Sequence, residues 1–222
     1  MKTMRIPSII LTFFLIATSC EKDKQPLTFE TGTLTDTRDG QSYATVKIGN
    51  QWWMAEDLNY NAYNSWYYNN DSITYATIYG RLYLWATAMN GQASSSTNPS
   101  NVQGIGPAGW HIPSDAEWIE LTTFLSNNNL TGDDLKEMGN AHWQPTNNGT
   151  NLAKFNAVPS GTVYNNGVAS ANINRYVTYI SSTIDTVSGG VWGHGLEYNK
   201  STVRRLPIGL QNGWSVRCVK DE

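Results

Sequence analysis

Apolar and polar residues alternate most clearly in Tyr43-Ala44-Thr45-Val46-Lys47-Ile48, which runs into Gly49-Asn50 and then Gln51-Trp52-Trp53-Met54. Two runs of period two around a Gly-Asn pair predict a β-hairpin, because such a turn needs residues that tolerate positive φ. Another strand is expected over 33–37, before a turn at Asp39-Gly40. Residues 59–75 are rich in Tyr and Asn, have no clear period, and read as a structured loop. Helical spacing first appears over 79–89, where Leu82, Trp85 and Met89 share a stripe and Gly91 supplies a stop. Residues 91–109 hold Ser, Asn, Gly and Pro, hence a loop. Ser114-Asp115-Ala116-Glu117 is a capping box, in which each end's side chain accepts the other's backbone N–H. Trp118, Leu121 and Leu125 follow at helical spacing, so a helix is expected to about residue 126, with a shorter one over 132–138. From Phe155 onward only short β runs remain, at 162–164, 176–181, 191–198, 203–206 and 214–219. Strands, then two or three helices, then strands predict an α+β fold rather than alternating α/β.

The N-terminus changes where this domain is expected to reside. Met1-Lys2-Thr3-Met4-Arg5 is basic, Ile9 to Ile16 is apolar, and Ala17-Thr18-Ser19 is small, the pattern of a secretory signal. The apolar run is too short to span a bilayer, which takes about 20 residues. Cys20 follows directly and resembles the lipobox cysteine of bacterial lipoproteins, with Ala17 where leucine is usual. The resemblance implies cleavage after residue 19, acylation of the Cys20 thiol, and a membrane partner reached through that lipid. Each buried methylene adds about 0.8 kcal/mol, so several chains hold firmly. Glu21-Lys22-Asp23-Lys24-Gln25-Pro26 reads as a flexible tether. It also resembles the surface-export signal of Bacteroidetes lipoproteins, which implies an outer-membrane lipoprotein exposed at the cell surface. The expected division is a signal peptide at 1–19, a tether at 20–31 and one domain over 32–222.

Composition removes several function classes. The chain has 15 basic and 18 acidic side chains for a formal charge of −3, and losing Lys2 and Arg5 makes it more acidic. No basic footprint for nucleic acid is present. There are 2 cysteines. With Cys20 in lipid, Cys218 has no partner for a disulfide or a thiolate metal cluster. The core must rest on apolar burial, for which 9 Trp and 12 Tyr supply large rings.

Several segments resemble one family. They are Tyr79-Gly80-Arg81-Leu82-Tyr83-Leu84-Trp85, Gly109-Trp110-His111-Ile112-Pro113-Ser114-Asp115-Ala116-Glu117-Trp118 and Gly213-Trp214-Ser215-Val216-Arg217-Cys218-Val219-Lys220-Asp221. Weaker matches are Trp52-Trp53-Met54-Ala55-Glu56-Asp57-Leu58-Asn59-Tyr60 and Phe155-Asn156-Ala157-Val158-Pro159-Ser160-Gly161. Together, over 32–221, they resemble the Fibrobacter succinogenes major paralogous domain. That family is similar to the formylglycine-generating, sulfatase-modifying group and to the C-type lectin-like fold. The resemblance implies an α+β domain with two helices beside small, irregular, mostly antiparallel sheets. The chain departs from the family in lacking cysteines at 65–70 and 106–108, and most of all over 184–212.

Formylglycine generation in the resembling enzymes depends on paired cysteines, and Cys218 stands alone, so no catalytic residue is expected. His111, His142 and His194 lack metal-ligand spacing. A structural hydrogen bond is expected for His111 and surface loop positions for the other two. Gln144-Pro145-Thr146 lacks the carboxamide or carboxylate third residue of a calcium-dependent lectin motif, and no carboxylate cluster suits Ca²⁺. Neither a metal nor a cofactor is expected. Three aromatic and amide stretches remain as ligand candidates, around Trp66, Tyr67 and Tyr68, around Trp143 and Gln144, and around Trp192 and Tyr198. Rings beside amides suit sugar faces and protein hot spots. The sequence therefore points to an exported, non-catalytic domain that binds a glycan or a surface protein. An enzyme acting on envelope or dietary polysaccharide and a structural subunit of a surface assembly are the alternatives. Whether loops 59–75, 140–151 and 184–212 form one site stays open at this point.

Overall fold

In the computed structural model, Met1 and residues 27–221 are described, so the signal segment from residue 2, Cys20 and the charged tether to residue 26 lie outside the described residues. The meander β1 (Thr31–Thr35), β2 (Ser42–Ile48) and β3 (Gln51–Met54) is antiparallel, with the expected hairpin closing at Ile48↔Gln51. The stretch 59–75 is more ordered than a loop. It contains β4 (Ser65–Trp66), a 3₁₀ turn at Tyr68–Asn70 and the start of α1 (Ser72–Tyr79). Asp71 caps α1, its carboxylate accepting from the Ile73 and Thr74 N–H groups at 3.0 and 3.1 Å.

The single helix expected over 79–89 does not form. Gly80 ends α1 at φ 61° and ψ −149°, a conformation open in practice only to glycine. A Cβ there would sit 2.8 Å from the carbonyl oxygens of Asp57 and Leu58. The chain then makes β5 (Leu82–Tyr83) and a short α2 (Trp85–Met89), stopped by left-handed Asn90 rather than by Gly91. After β6 (Trp110–His111) comes α3 (Asp115–Asn127), with the capping box as read. Ser114 Oγ accepts from Glu117 N–H at 3.2 Å, and Glu117 Oε2 accepts from Ser114 N–H at 2.8 Å. Ser114→Ala is expected to cost about 1 kcal/mol, the usual loss of an N-cap, measured by urea denaturation; no change would mean that Glu117 alone holds this terminus.

The helix expected over 132–138 is only a 3₁₀ turn, Gly132–Asp134. Beyond it the backbone pairs with a distant strand-like residue instead, Glu137 N–H donating to Ala157 O and Ala157 N–H to Leu135 O. The rest is β7 (Thr162–Tyr164), β8 (Ala169–Ala171), β9 (Tyr176–Ile184), β10 (Val191–Glu197), β11 (Arg204–Ile208) and β12 (Val219–Lys220). The sheets run β1-β2-β3-β12-β6, β11-β10-β9, β4-β5 and β7-β8, with antiparallel pairing throughout. Among the described residues the architecture is α+β, three α-helices beside small antiparallel sheets.

The strand expected over 214–219 joins a ladder only at β12, while Trp214 and Ser215 make isolated bridges to Tyr83 and Tyr179. This segment runs through the middle of the molecule and is buried on both faces. Trp214, Val216 and Cys218 pack with Met54, Leu58, Tyr83 and Ile112. Val219 packs into a second core with Trp53, Trp118, Phe155 and Tyr179. Burial pushes the Cys218 thiol well above its ordinary range.

Candidate functional site

Directly after β3 the chain turns back under α1, carrying Asp57 and Asn59 to a cavity of about 440 Å³. Its other walls are the start of β2 at Tyr43, the second half of α1 at Ile78, the Glu137–His142 loop, and Arg217 from the central segment.

Arg217 is held through all three of its guanidinium nitrogens. Its Nε donates to Asp57 Oδ1 at 2.7 Å, Nη1 donates to Phe155 O, and Nη2 donates to Asn156 O at 3.1 Å. Tyr179 O–H also donates to Asp57 Oδ1, at 3.3 Å. Burial pushes the Asp57 carboxyl above the usual carboxylate range, against the pull of the Arg217 charge. The second oxygen, Oδ2, is buried with no partner among the described residues.

Two further oxygens in the same wall share that condition. Asn59 donates its backbone N–H to Tyr43 Oη at 3.1 Å and its Nδ2 to Ala76 O at 3.2 Å, leaving Oδ1 unmet. Glu137 Oε1 pairs with His142 Nδ1 at 2.7 Å, leaving Oε2 unmet. A buried polar group without a partner costs about 1–3 kcal/mol. The three unmet acceptors all belong to residues that border the one cavity.

A family model, the Fibrobacter succinogenes major domain, matches residues 46–220, from β2 to β12. The chain belongs to this family. Comparison with curated proteins and with solved structures gives no match.

Within this Fibrobacter succinogenes major domain, the Trp52–Tyr60 and Gly213–Asp221 segments supply Asp57, Asn59 and Arg217 to the cavity, whereas Gly109–Trp118 is architectural. His111 makes the structural hydrogen bonds expected of it. Nε2 lies 2.6 Å from Glu117 Oε1 and Nδ1 2.6 Å from Asp221 Oδ1. Burial opposes its charge, but Glu117 and then Asp221 outweigh burial and raise its pKa.

None of the aromatic and amide residues singled out from the sequence lines the cavity. Trp66 and Tyr67 are half-buried and Tyr68 is buried, and Asn69 N–H next to them donates to Ser170 Oγ of β8 at 2.9 Å. The Arg81 guanidinium covers the Tyr67 ring at 4.1 Å, and Tyr68 packs edge-on against Tyr75 at 5.2 Å. Trp143 is a core residue, 2% exposed, its indole N–H donating to Ala157 O at 3.1 Å. Gln144 beside it is half-buried and spends its backbone N–H on Asn174 O. Trp192 lies under the Arg205 guanidinium at 3.3 Å, and Tyr198 sits 6.0 Å from that of Arg175.

His194 is likewise not on a surface loop. It is buried on β10, stacked on Trp118 at 5.1 Å, with Nε2 3.0 Å from Asp115 Oδ1. Burial lowers its pKa. Burial also works against the Asp115 carboxylate, but hydrogen bonds with His194 and Arg205 outweigh it and hold that group down at about 2. His142 is partly exposed and does border the cavity, with Tyr79 edge-on to its ring at 5.7 Å.

Sequence reasoning therefore missed Asp57, Asn59 and Glu137 as site residues. One signal was available: Arg217 stands between Val216 and Cys218 in an otherwise apolar alternation, and a buried guanidinium requires a buried acid.

Proposed function

We propose that this protein is an exported, lipid-anchored cell-envelope protein whose domain binds a glycan or a surface protein without catalysing a reaction. The single observation that carries the binding site is the cavity of about 440 Å³ bordered by Glu56, Glu137 and His142. The bacterial surface association of the family supports the envelope setting, and the basic, apolar and small-residue order before Cys20 supports the anchor. No helix among the described residues is long and apolar enough to cross a membrane. The segregated helices and small antiparallel sheets are in keeping with the C-type lectin-like and sulfatase-modifying resemblance. Cys218, buried and with a raised pKa, is a poor nucleophile, which supports a non-catalytic role.

Two measurements test this reading. Fatty-acid labelling is expected on the wild type and absent from Cys20→Ser, and equal label on both removes the anchor. A glycan array probed with the detergent-solubilised full chain is expected to show a signal that Glu137→Gln weakens. A signal indifferent to that substitution places binding elsewhere.

A further inference from the structure

Two open depressions, of about 660 and 340 Å³, share no lining residue with the cavity. Ala62, Tyr63, Asn90 and Ile105 line both of them, so the two meet there. Ile105 is buried and belongs to the core, whereas Tyr63 is 88% exposed. A single exposed ring is ordinary on a protein surface. Tyr63 differs in where it stands and in how its backbone is fixed. Thr87 Oγ1 donates to Tyr63 O at 3.1 Å, and Ser65 Oγ donates to Ala62 O at 2.6 Å. A tyrosine left open on an anchored backbone offers a large contact area at low entropic cost.

The walls around that ring are amides rather than charges. Asn61, Asn90, Gln92 and Gln103 line the larger depression, and Asn64 lines the smaller. Gln92 Oε1 accepts from Gly104 N–H at 2.5 Å, which leaves its Nε2 as a donor. Gln103 Nε2 donates to Gly106 O at 3.3 Å, which leaves its Oε1 as an acceptor. Asn61 and Asn90 are exposed and offer both kinds of group. A sugar hydroxyl donates and accepts at one atom, so side-chain amides answer it on both counts.

The charged residue in these linings is Arg38. Its Nε and Nη2 donate to the buried Asp36 carboxylate at 2.9 and 2.6 Å, and its guanidinium lies 3.8 Å from the centre of the Tyr60 ring. The ion pair is neutral overall, so an anionic ligand meets no excess positive charge, while Nη1 is left for a hydroxyl. A peptide is anchored by large side chains in well-packed pockets. Here the aliphatic surface is the buried Ile105 with the small Ala62 and Ala86 beside it.

We infer that the two depressions form a second binding site, for a neutral glycan chain. One sugar ring stacks on Tyr63, and neighbouring hydroxyls reach the amides of Asn61, Asn90, Gln92 and Gln103.

The test is retardation of the detergent-solubilised full chain in native gels that contain xyloglucan, galactomannan or mixed-linkage glucan, with polygalacturonate and dextran sulfate as charged comparisons. At least one neutral polymer is expected to retard the wild type. Tyr63→Ala is expected to weaken that binding about tenfold or more, the scale of losing an aromatic anchor. Tyr63→Phe keeps the ring and is expected to retain most of the binding, and Asn61→Ala is expected to lose part of it. Ile73→Ala, at a position 94% exposed and outside both depressions, is expected to change nothing. Melting temperatures of these surface variants are expected to match the wild type. No retardation by any neutral polymer, or retardation that survives Tyr63→Ala, overturns the inference. Binding that Glu137→Gln abolishes and Tyr63→Ala leaves intact keeps the cavity as the site and removes this one, and the reverse pattern does the opposite. Stronger retention by polygalacturonate or dextran sulfate overturns the neutral ligand. A peptide from a displayed library that the wild type binds and Tyr63→Ala loses, with no neutral polymer retained, assigns the depressions to protein and overturns the glycan.

Discussion

Arg217→Met is expected to lower the stability of the folded domain by about 3–5 kcal/mol, the cost of removing one partner from a buried ion pair. Both side chains are fully buried, 0% and 0% exposed. Methionine restores much of the volume and none of the donors. The substitution leaves the Asp57 charge without its cation and the carbonyls of Phe155 and Asn156 without N–H groups. It also removes the guanidinium from above the Phe155 ring, 4.2 Å away, and from beside that of Tyr179, 5.2 Å away. The double variant Asp57→Asn with Arg217→Met is expected to recover part of the loss, because the uncompensated charge is gone. Urea denaturation of the three variants measures this, and an Arg217→Met cost under about 1 kcal/mol would mean that the pair does not hold the fold.

The same variant has a defined pH dependence. Asp57 is raised above its ordinary value by burial even beside Arg217. Without the guanidinium it rises further, so the folded state binds the proton more tightly than the unfolded chain, whose Asp titrates near 3.9. A carboxyl raised by folding contributes stability at low pH and loses it as pH rises through the folded value. The deficit of Arg217→Met is therefore expected to be smaller at pH 4 than at pH 8. A deficit that grew on acidification would contradict this placement of Asp57.

Where structure was legible in the sequence, the cause was local. The hairpin at Gly49-Asn50 rests on turn chemistry, and the start of α3 rests on Ser114 and Glu117, three residues apart. Where the reading failed, the cause lay far along the chain. The helix drawn through Gly80 is broken by the carbonyls of Asp57 and Leu58, and the one drawn beyond Asp134 by pairing with Ala157. His194 lies among Gly and Trp residues, a composition that reads as a surface loop. Those glycines instead admit close neighbours to β10, since a Cβ on Gly193 would lie 2.8 Å from Ile208. The cavity was least legible. Asp57 and Glu137 come from segments 80 positions apart, and neither segment carries a motif that names the other. Aromatic residues drew attention to Trp143 and Tyr68, whose rings are core material.

Trp118→Ala is expected to cost about 3–5 kcal/mol, several times the loss from Ser114→Ala at the same helix's N-cap. The ring is 1% exposed. It lies 4.6 Å from Trp53, 6.1 Å from Phe155, 5.3 Å from Tyr179 and 5.1 Å from His194, the last two stacked. These neighbours belong to β3, β9, β10 and the segment before β7, each fixed by its own pairing, so the void left by alanine cannot collapse. One effect works the other way. The Trp118 indole N–H is buried without a partner among the described residues, and truncation removes that unmet donor. Trp118→Phe, which drops the donor and keeps most of the ring, is accordingly expected to lose less than half as much as alanine. Urea denaturation orders the variants, and a Trp118→Ala loss no larger than that of Ser114→Ala would place the wrong face of α3 inward. His194 gives an independent readout, because burial beneath Trp118 lowers its pKa. Opening that space to water in Trp118→Ala is expected to move the imidazole back toward its ordinary value of about 6.5, visible in its NMR titration. An unmoved titration would mean that Asp115 and Arg205, rather than the stacked indole, set the environment of that ring.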